Sequence, residues 1–123
     1  MMPANIEVKT LRTFVPAKNY TISQQFYQHL GFELIRLTDD LSLCKAGIFE
    51  FILQNYYHKG WADNFMMHMD INNVDAWWDY LQSVNLEKDF KGIKLMPPVN
   101  EGWARVCRLI DPSGVLWHFS QYN

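Results

Sequence analysis

Residues 103 to 119, Trp-Ala-Arg-Val-Cys-Arg-Leu-Ile-Asp-Pro-Ser-Gly-Val-Leu-Trp-His-Phe, constrain the fold of this chain more than any other stretch. Asp111-Pro112-Ser113-Gly114 carries Pro at the second and Gly at the fourth position of a type I turn, so the flanking apolar runs fold back as an antiparallel hairpin. Past the turn, Val115, Trp117 and Phe119 face one way and Leu116, His118 and Ser120 the other, because successive strand side chains alternate. Residues 65 to 71 repeat the plan, with Phe65, Met67, Met69 and Ile71 opposed to Met66, His68 and Asp70. A sheet divided in this way packs helices on its apolar face and keeps the other face partly polar, which suits a curved sheet around a binding cavity.

The order of the remaining elements follows from periodicity and punctuation. Residues 6 to 17 read as a strand, and Asn19 and Thr21 compete to cap a helix whose Ile22, Phe26, Tyr27 and Leu30 share one face, ended by Gly31. Three strands are predicted at 32–38, 41–45 and 48–54, followed by a polar, aromatic connector at 55–64. The pattern then restarts with a strand at 65–71, an Asn73 cap, and a helix presenting Val74, Trp77, Leu81 and Val84. Of the adjacent Trp77 and Trp78, one packs inward. Strands near 93–95, 104–110 and 115–120 complete the chain, with Pro97-Pro98 in a loop. The predicted class is α+β: tandem β-α-β-β-β units, about 1–55 and 65–123, within one domain spanning 1–123, forming a curved mixed sheet around a cleft with helices outside.

Composition narrows the function. A formal charge of −2 and the lack of a Lys/Arg cluster leave no phosphate-tracking stripe, so nucleic acid is not an expected partner. No apolar run approaches the roughly 18 residues of a membrane span, and no charged-then-apolar leader opens the chain, so a cytoplasmic protein is expected. Cys44 and Cys107 lack the paired spacing of a zinc or redox motif and read as buried, reduced thiols. The aromatic connector around Tyr56, Tyr57 and Trp61, together with the free edges of curved sheets, points to a homodimer.

Phe26-Tyr27-Gln28-His29-Leu30-Gly31-Phe32 after the first helix start, and Asp111-Pro112-Ser113-Gly114 before the last strand, resemble the glyoxalase/bleomycin-resistance/dioxygenase family, the vicinal oxygen chelate superfamily. Residues Asn100 to Arg105, leading to Trp117-His118-Phe119, look most like its bleomycin-resistance branch. That resemblance implies a dimer that binds small molecules, without a metal, in crevices between subunits. The positions matching the metal ligands of family enzymes are Arg12, Glu50, Met66 and His118. Arg cannot ligate a cation, and a thioether is too soft for Fe, Mn, Ni or Zn at such a site. An Arg12–Glu50 ion pair in the metal's place is therefore expected. The alternative is a divalent metal held by Glu50, His68 and His118 in an enzyme of the lyase/isomerase, dioxygenase or transferase kind. The favoured expectation is a metal-independent protein with no cofactor, whose cleft is lined by Arg12, Glu50, His68, Asp70, Trp103, Arg105 and His118. Trp103 would stack on an aromatic or cationic ligand that the carboxylates attract.

Overall fold

Two Asn side chains set where the long helices begin. Asn19 Oδ1 accepts from the Ile22 amide at 3.2 Å and opens α1 (Tyr20–Leu30), so it, and not Thr21, is the cap. Asn73 Oδ1 does the same for α3 (Val74–Ser83), accepting from Ala76 at 2.9 Å. Gly31 closes α1 with φ of 122°, a conformation that L side chains rarely adopt. In this computed structural model, which describes residues 1–123, α1 is preceded by β1 (Phe14–Pro16) and followed by β2 (Glu33–Thr38), β3 (Leu41–Ala46) and β4 (Phe49–Gln54). A short α2 (Lys59–Asp63) leads to β5 (Met66–Asp70) and α3, after which come α4 (Leu86–Asp89), β6 (Lys94–Asn100), β7 (Ala104–Ile110) and β8 (Leu116–Tyr122).

The strands form two four-stranded mixed sheets of identical order, β1-β4-β3-β2 and β5-β8-β7-β6. In each, the first strand runs parallel to the last and the other pairs are antiparallel. This is the tandem β-α-β-β-β arrangement expected from the sequence, with the strands in two sheets and not one. Three local readings change. The first strand is confined to Phe14–Pro16, because its parallel ladder with β4 starts only at the Thr13 carbonyl, which accepts from Ile52. The connector contains α2, capped by His58 Nδ1 accepting from Trp61 at 3.3 Å. Pro97 and Pro98 lie inside β6 and not in a loop; β6 is an edge strand whose register shifts between Met96 and Val99, so the missing prolyl N–H groups break no ladder.

The apolar faces of both sheets and the inner faces of α1 and α3 merge into one core. Phe26, Tyr27 and Leu30 from α1 meet Phe51 and Leu53 from β4, Val74 and Leu81 from α3, and Trp117 and Phe119 from β8. Tyr27 and Phe51 pack edge to face at 5.1 Å, and Phe51 meets Trp117 in the same manner at 5.4 Å.

A single buried carboxylate ties the halves together. Asp111, fully buried in the β7–β8 turn, accepts at Oδ1 from the amides of Ser113 (2.8 Å) and Val115 (2.9 Å). Its Oδ2 accepts from Tyr27 of α1 at 2.5 Å, and that hydroxyl in turn accepts from Trp117 Nε1 at 2.9 Å. Ser113 in the same turn accepts from the Lys18 amide at 2.8 Å. Burial pushes the Asp111 carboxyl above its ordinary range, while the donated hydrogen bonds from Tyr27 and the turn amides pull it back. Tyr27→Phe would leave Asp111 Oδ2 and the Trp117 indole N–H unpaired in the core. A loss of about 3 kcal/mol in urea denaturation is expected, from two orphaned buried groups; a loss below about 1 kcal/mol would mean that the network contributes little.

Candidate functional site

Strand register places the polar face of the second sheet. His68 on β5 lies level with His118 on β8, and His118 level with Arg108 on β7. In the next row Asp70, Ser120 and Val106 align, and beyond them Tyr122 aligns with Ala104. These side chains share a face because they share parity; Trp117 and Phe119, of opposite parity, point into the core. At the mouth of the β6–β7 turn, Gly102 adopts φ of 90° and donates to Asn100 Oδ1 at 2.9 Å, which turns the chain so that Trp103 stands beside the sheet.

Three aromatic rings gather there. Their centroids lie 6.2 Å (His68–Trp103), 6.0 Å (His68–Tyr122) and 5.5 Å (Trp103–Tyr122) apart. The imidazole is within 24° of both neighbours' planes while Trp103 and Tyr122 are tilted 43° to each other, so the three form a platform creased between indole and phenol and not an edge-to-face cluster. Trp103 and Tyr122 each keep 54% of their surface exposed, which is a large aromatic area for water to cover. Asp70 sits at the platform's edge, its Oδ1 2.6 Å from His68 Nε2, with the Tyr122 hydroxyl 3.1 Å from the same nitrogen. The hydrogen bond to Asp70, and secondarily burial, push the Tyr122 phenol up, so it remains a protonated donor.

The first sheet contributes Glu50. Its neighbours Phe51 and Leu53 lie in the core, and Glu50 accepts from Arg12 Nε at 2.7 Å and from Arg12 Nη2 as well. Glu50 is only 12% exposed at its side chain, so the guanidinium neutralises a carboxylate largely withdrawn from water. A cleft of about 460 Å³ opens between β4 and β5, with Phe49, Glu50, Met67, His68, Asp70 and Trp117 among its walls. Of the residues anticipated from sequence, Glu50, His68 and Asp70 thus meet in one cleft. Arg12 joins them through Glu50, and Trp103 and His118 flank His68 outside the cleft wall.

Arg105 is not with them. It shares parity with Cys107 and Leu109, which face the core side, and its Nε and Nη2 hold Asp75 in the first turn of α3, with Nη2 at 2.8 Å. Arg108, three residues on and of opposite parity, is the arginine on the open face. Sequence reasoning also passed over Tyr122 and Phe49. Tyr122 merely continues the alternation of Leu116, His118 and Ser120, whereas Arg108 required the register between β7 and β8.

The family resemblance of the sequence raises the question of a metal here, and the donor set bears on it. The Glu50 carboxylate is held by a permanent cation, His68 Nε2 is engaged with Asp70, and Met66 offers only a thioether. No three His, Cys, Asp or Glu side chains converge closely enough to hold an ion. These residues do not fit a metal. Neither cysteine supplies a nucleophile: burial raises Cys44 to about 12 and, against the opposing charge of Arg108, Cys107 to about 11.

No protein-family model matches the chain, and no curated protein matches it. Solved structures do. A bleomycin resistance determinant encoded on the transposon Tn5 superposes with a TM-score of 0.78 at 18% identity, over 94% of this chain and 99% of that one. A bleomycin-binding protein from Streptomyces verticillus, complexed with copper(II)-bleomycin, superposes at 0.77 and 21% identity, over 95% and 100%. The lactoylglutathione lyase of Agrobacterium tumefaciens is more distant, at 0.67 and 12% identity over 94% and 95%. The chain therefore has the fold of the vicinal oxygen chelate superfamily. Bleomycin-binding proteins and a lactoylglutathione lyase are thus both among the structures that share this fold. No helix is long and apolar enough to cross a membrane.

His118 supplies a pH test. Burial first, then the charge of Arg108 and the neighbouring His68, push its imidazole below the ordinary 6.5. With the folded value depressed, the unfolded chain takes up the proton first. The stability that His118 contributes is thus present above about pH 6.5 and is lost as pH falls through the folded value. His118→Gln should flatten the decline of unfolding free energy between about pH 7 and pH 5. An unchanged slope in denaturation curves across that range would exclude His118 as its source.

Proposed function

We propose that this chain is a metal-independent binding protein for a small aromatic or cationic molecule, held against the Trp103–His68–Tyr122 platform at the mouth of the cleft. The exposed platform with Asp70 at its edge is the observation that carries this reading: flat aromatic surface attracts a flat or cationic partner, and the carboxylate favours positive charge. The Arg12–Glu50 pair supports metal independence, since it engages the carboxylate that a metal would need. The structural neighbours that bind bleomycin make small-molecule capture a use to which this fold is put. Titration with a panel of cationic aromatic dyes should quench indole fluorescence, and should do so equally after exhaustive dialysis against a chelator. Trp103→Ala should weaken binding by about 1 to 3 kcal/mol, as for other aromatic anchors. Equal affinity in wild type and variant would remove Trp103 from the site; binding lost on chelation would overturn metal independence.

The reading includes a homodimer. Ile6, Val8 and Leu11 project from the segment before β1, and the β3–β4 turn presents Ile48 (87% exposed) and Phe49 (74% exposed) beside the cleft. Trp61 of the connector, by contrast, is partly absorbed against Tyr56 and Phe65. So much unshielded apolar surface favours self-association. Light scattering at micromolar concentration should return about twice the chain mass of 14.6 kDa, and Ile48→Asp with Phe49→Asp should lower it. A single-chain mass for the wild type would rule the dimer out.

A further inference from the structure

The free edge of β5 runs along a seam between the two halves. β5 is the outermost strand of the second sheet, so a cavity beside it touches side chains from both of its faces: Met67 and Met69, as well as His68 and Asp70, line the cleft already described. A second cavity, also of about 460 Å³, lies farther along the same edge. Leu30 and Gly31 at the end of α1 belong to its wall from the first half, and Ile71, Ala76, Trp77 and Tyr80 to its wall from the second. Phe32, Ala46 and Met69 line both cavities, so the two adjoin.

The cavities differ in charge. The cleft holds Asp70 and the Arg12-paired Glu50, whereas no charged side chain lines the second cavity. Asn73 and Tyr80 bring polar groups to it, but both are used within the protein. Asn73 Oδ1 caps α3 by accepting from Ala76 at 2.9 Å, and the Tyr80 hydroxyl donates to the Leu30 carbonyl at 3.0 Å. The Trp77 and Tyr80 rings stack at 5.2 Å and 25°, which gives the cavity a flat apolar wall. Where the cavities adjoin, Ala46 projects only a methyl group, and Met69 an unbranched thioether that adapts its shape at little cost.

We propose that the second cavity takes the apolar tail of the molecule whose aromatic, cationic head rests on the Trp103–His68–Tyr122 platform, so that the ligand is an amphiphile lying along the β5 edge. Its charge pattern follows the walls: positive beside Asp70, uncharged beside Trp77 and Tyr80. Its length follows the strand, because His68 and Ile71 are about 10 Å apart along the extended chain, the reach of an octyl group. This rests on the platform reading above, and the two fail in distinguishable ways.

The probes are N-alkylquinolinium salts with methyl, butyl and octyl chains, which share one flat cationic head; binding is measured by calorimetry below the concentration at which the octyl salt forms micelles. Wild-type affinity should rise about two- to fourfold per added methylene, the upper figure corresponding to complete withdrawal from water. Ala76→Phe, at an exposed position of α3, should fill the second cavity and cut the octyl-to-methyl affinity ratio at least about tenfold. Ala46→Phe, at the exposed end of β3 where the cavities adjoin, should lower the same ratio. Trp103→Ala should weaken every member by a similar factor, since the head is common to all. Equal wild-type affinity across the series, or a chain-length gain that both alanine substitutions leave intact, would overturn the tail cavity while leaving the platform standing. A gain lost in Ala76→Phe but with all affinities indifferent to Trp103→Ala would overturn the spanning amphiphile, and binding of no member by the wild type would overturn both readings.

Discussion

The hydrogen bond from Tyr27 to Asp111 is the contact on which the two halves of this protein depend. Tyr27 belongs to the first helix of the first unit and Asp111 to the last turn of the second, and the bond between them lies in the middle of the merged core. The same carboxylate shapes its own turn through the Ser113 and Val115 amides, so one side chain both folds the β7–β8 hairpin and docks it against α1. A buried acid with no cation beside it is expensive unless each oxygen is satisfied. Here both are, and the Trp117 indole completes the chain of donors.

Once that hairpin is seated, the polar face of the second sheet is set without further choice. Parity sends Trp117 and Phe119 into the core, and hence His118, Ser120 and Tyr122 to the opposite face of the sheet; the parallel pairing of β5 with β8 then brings His68 and Asp70 alongside them. Apolar burial therefore positions the polar site. A shift of one residue in β8 would bury the imidazole and expose the indole, which is why the register is strongly held.

The two sheets have the same topology but different chemistry. In the first, Glu50, the carboxylate that the family resemblance aligned with a metal ligand, is neutralised by Arg12. In the second, histidine, tyrosine and tryptophan rings lie side by side with an acid at their edge. A cation bound by coordination needs converging anionic or neutral donors; a cation bound by aromatic faces needs exposed π-surface and a nearby charge. The exposed rings and Asp70 are the side chains on which the proposed reading of an aromatic-face site rests, and no three His, Cys, Asp or Glu side chains converge for coordination.

Local signals in the sequence determined much of this. Periodicity and capping residues marked both long helices, the Asp-Pro-Ser-Gly turn placed the final hairpin, and alternation assigned His68, Asp70 and His118 to one face. The Arg12–Glu50 pair was also legible, because both positions match a known ligand pattern. Tertiary structure decided the rest. Whether Arg105 or Arg108 faces the cleft depends on the register of β7 against β8, and the pairing of Arg105 with Asp75 depends on where α3 crosses the sheet. The prolines of β6 sit within a strand because β6 is an edge, and the first strand begins only at Phe14 because its ladder with β4 extends no further toward the N-terminus. Such facts concern neighbours distant in the chain. Periodicity reports which side of an element is apolar, but not which residue of another element stands opposite it.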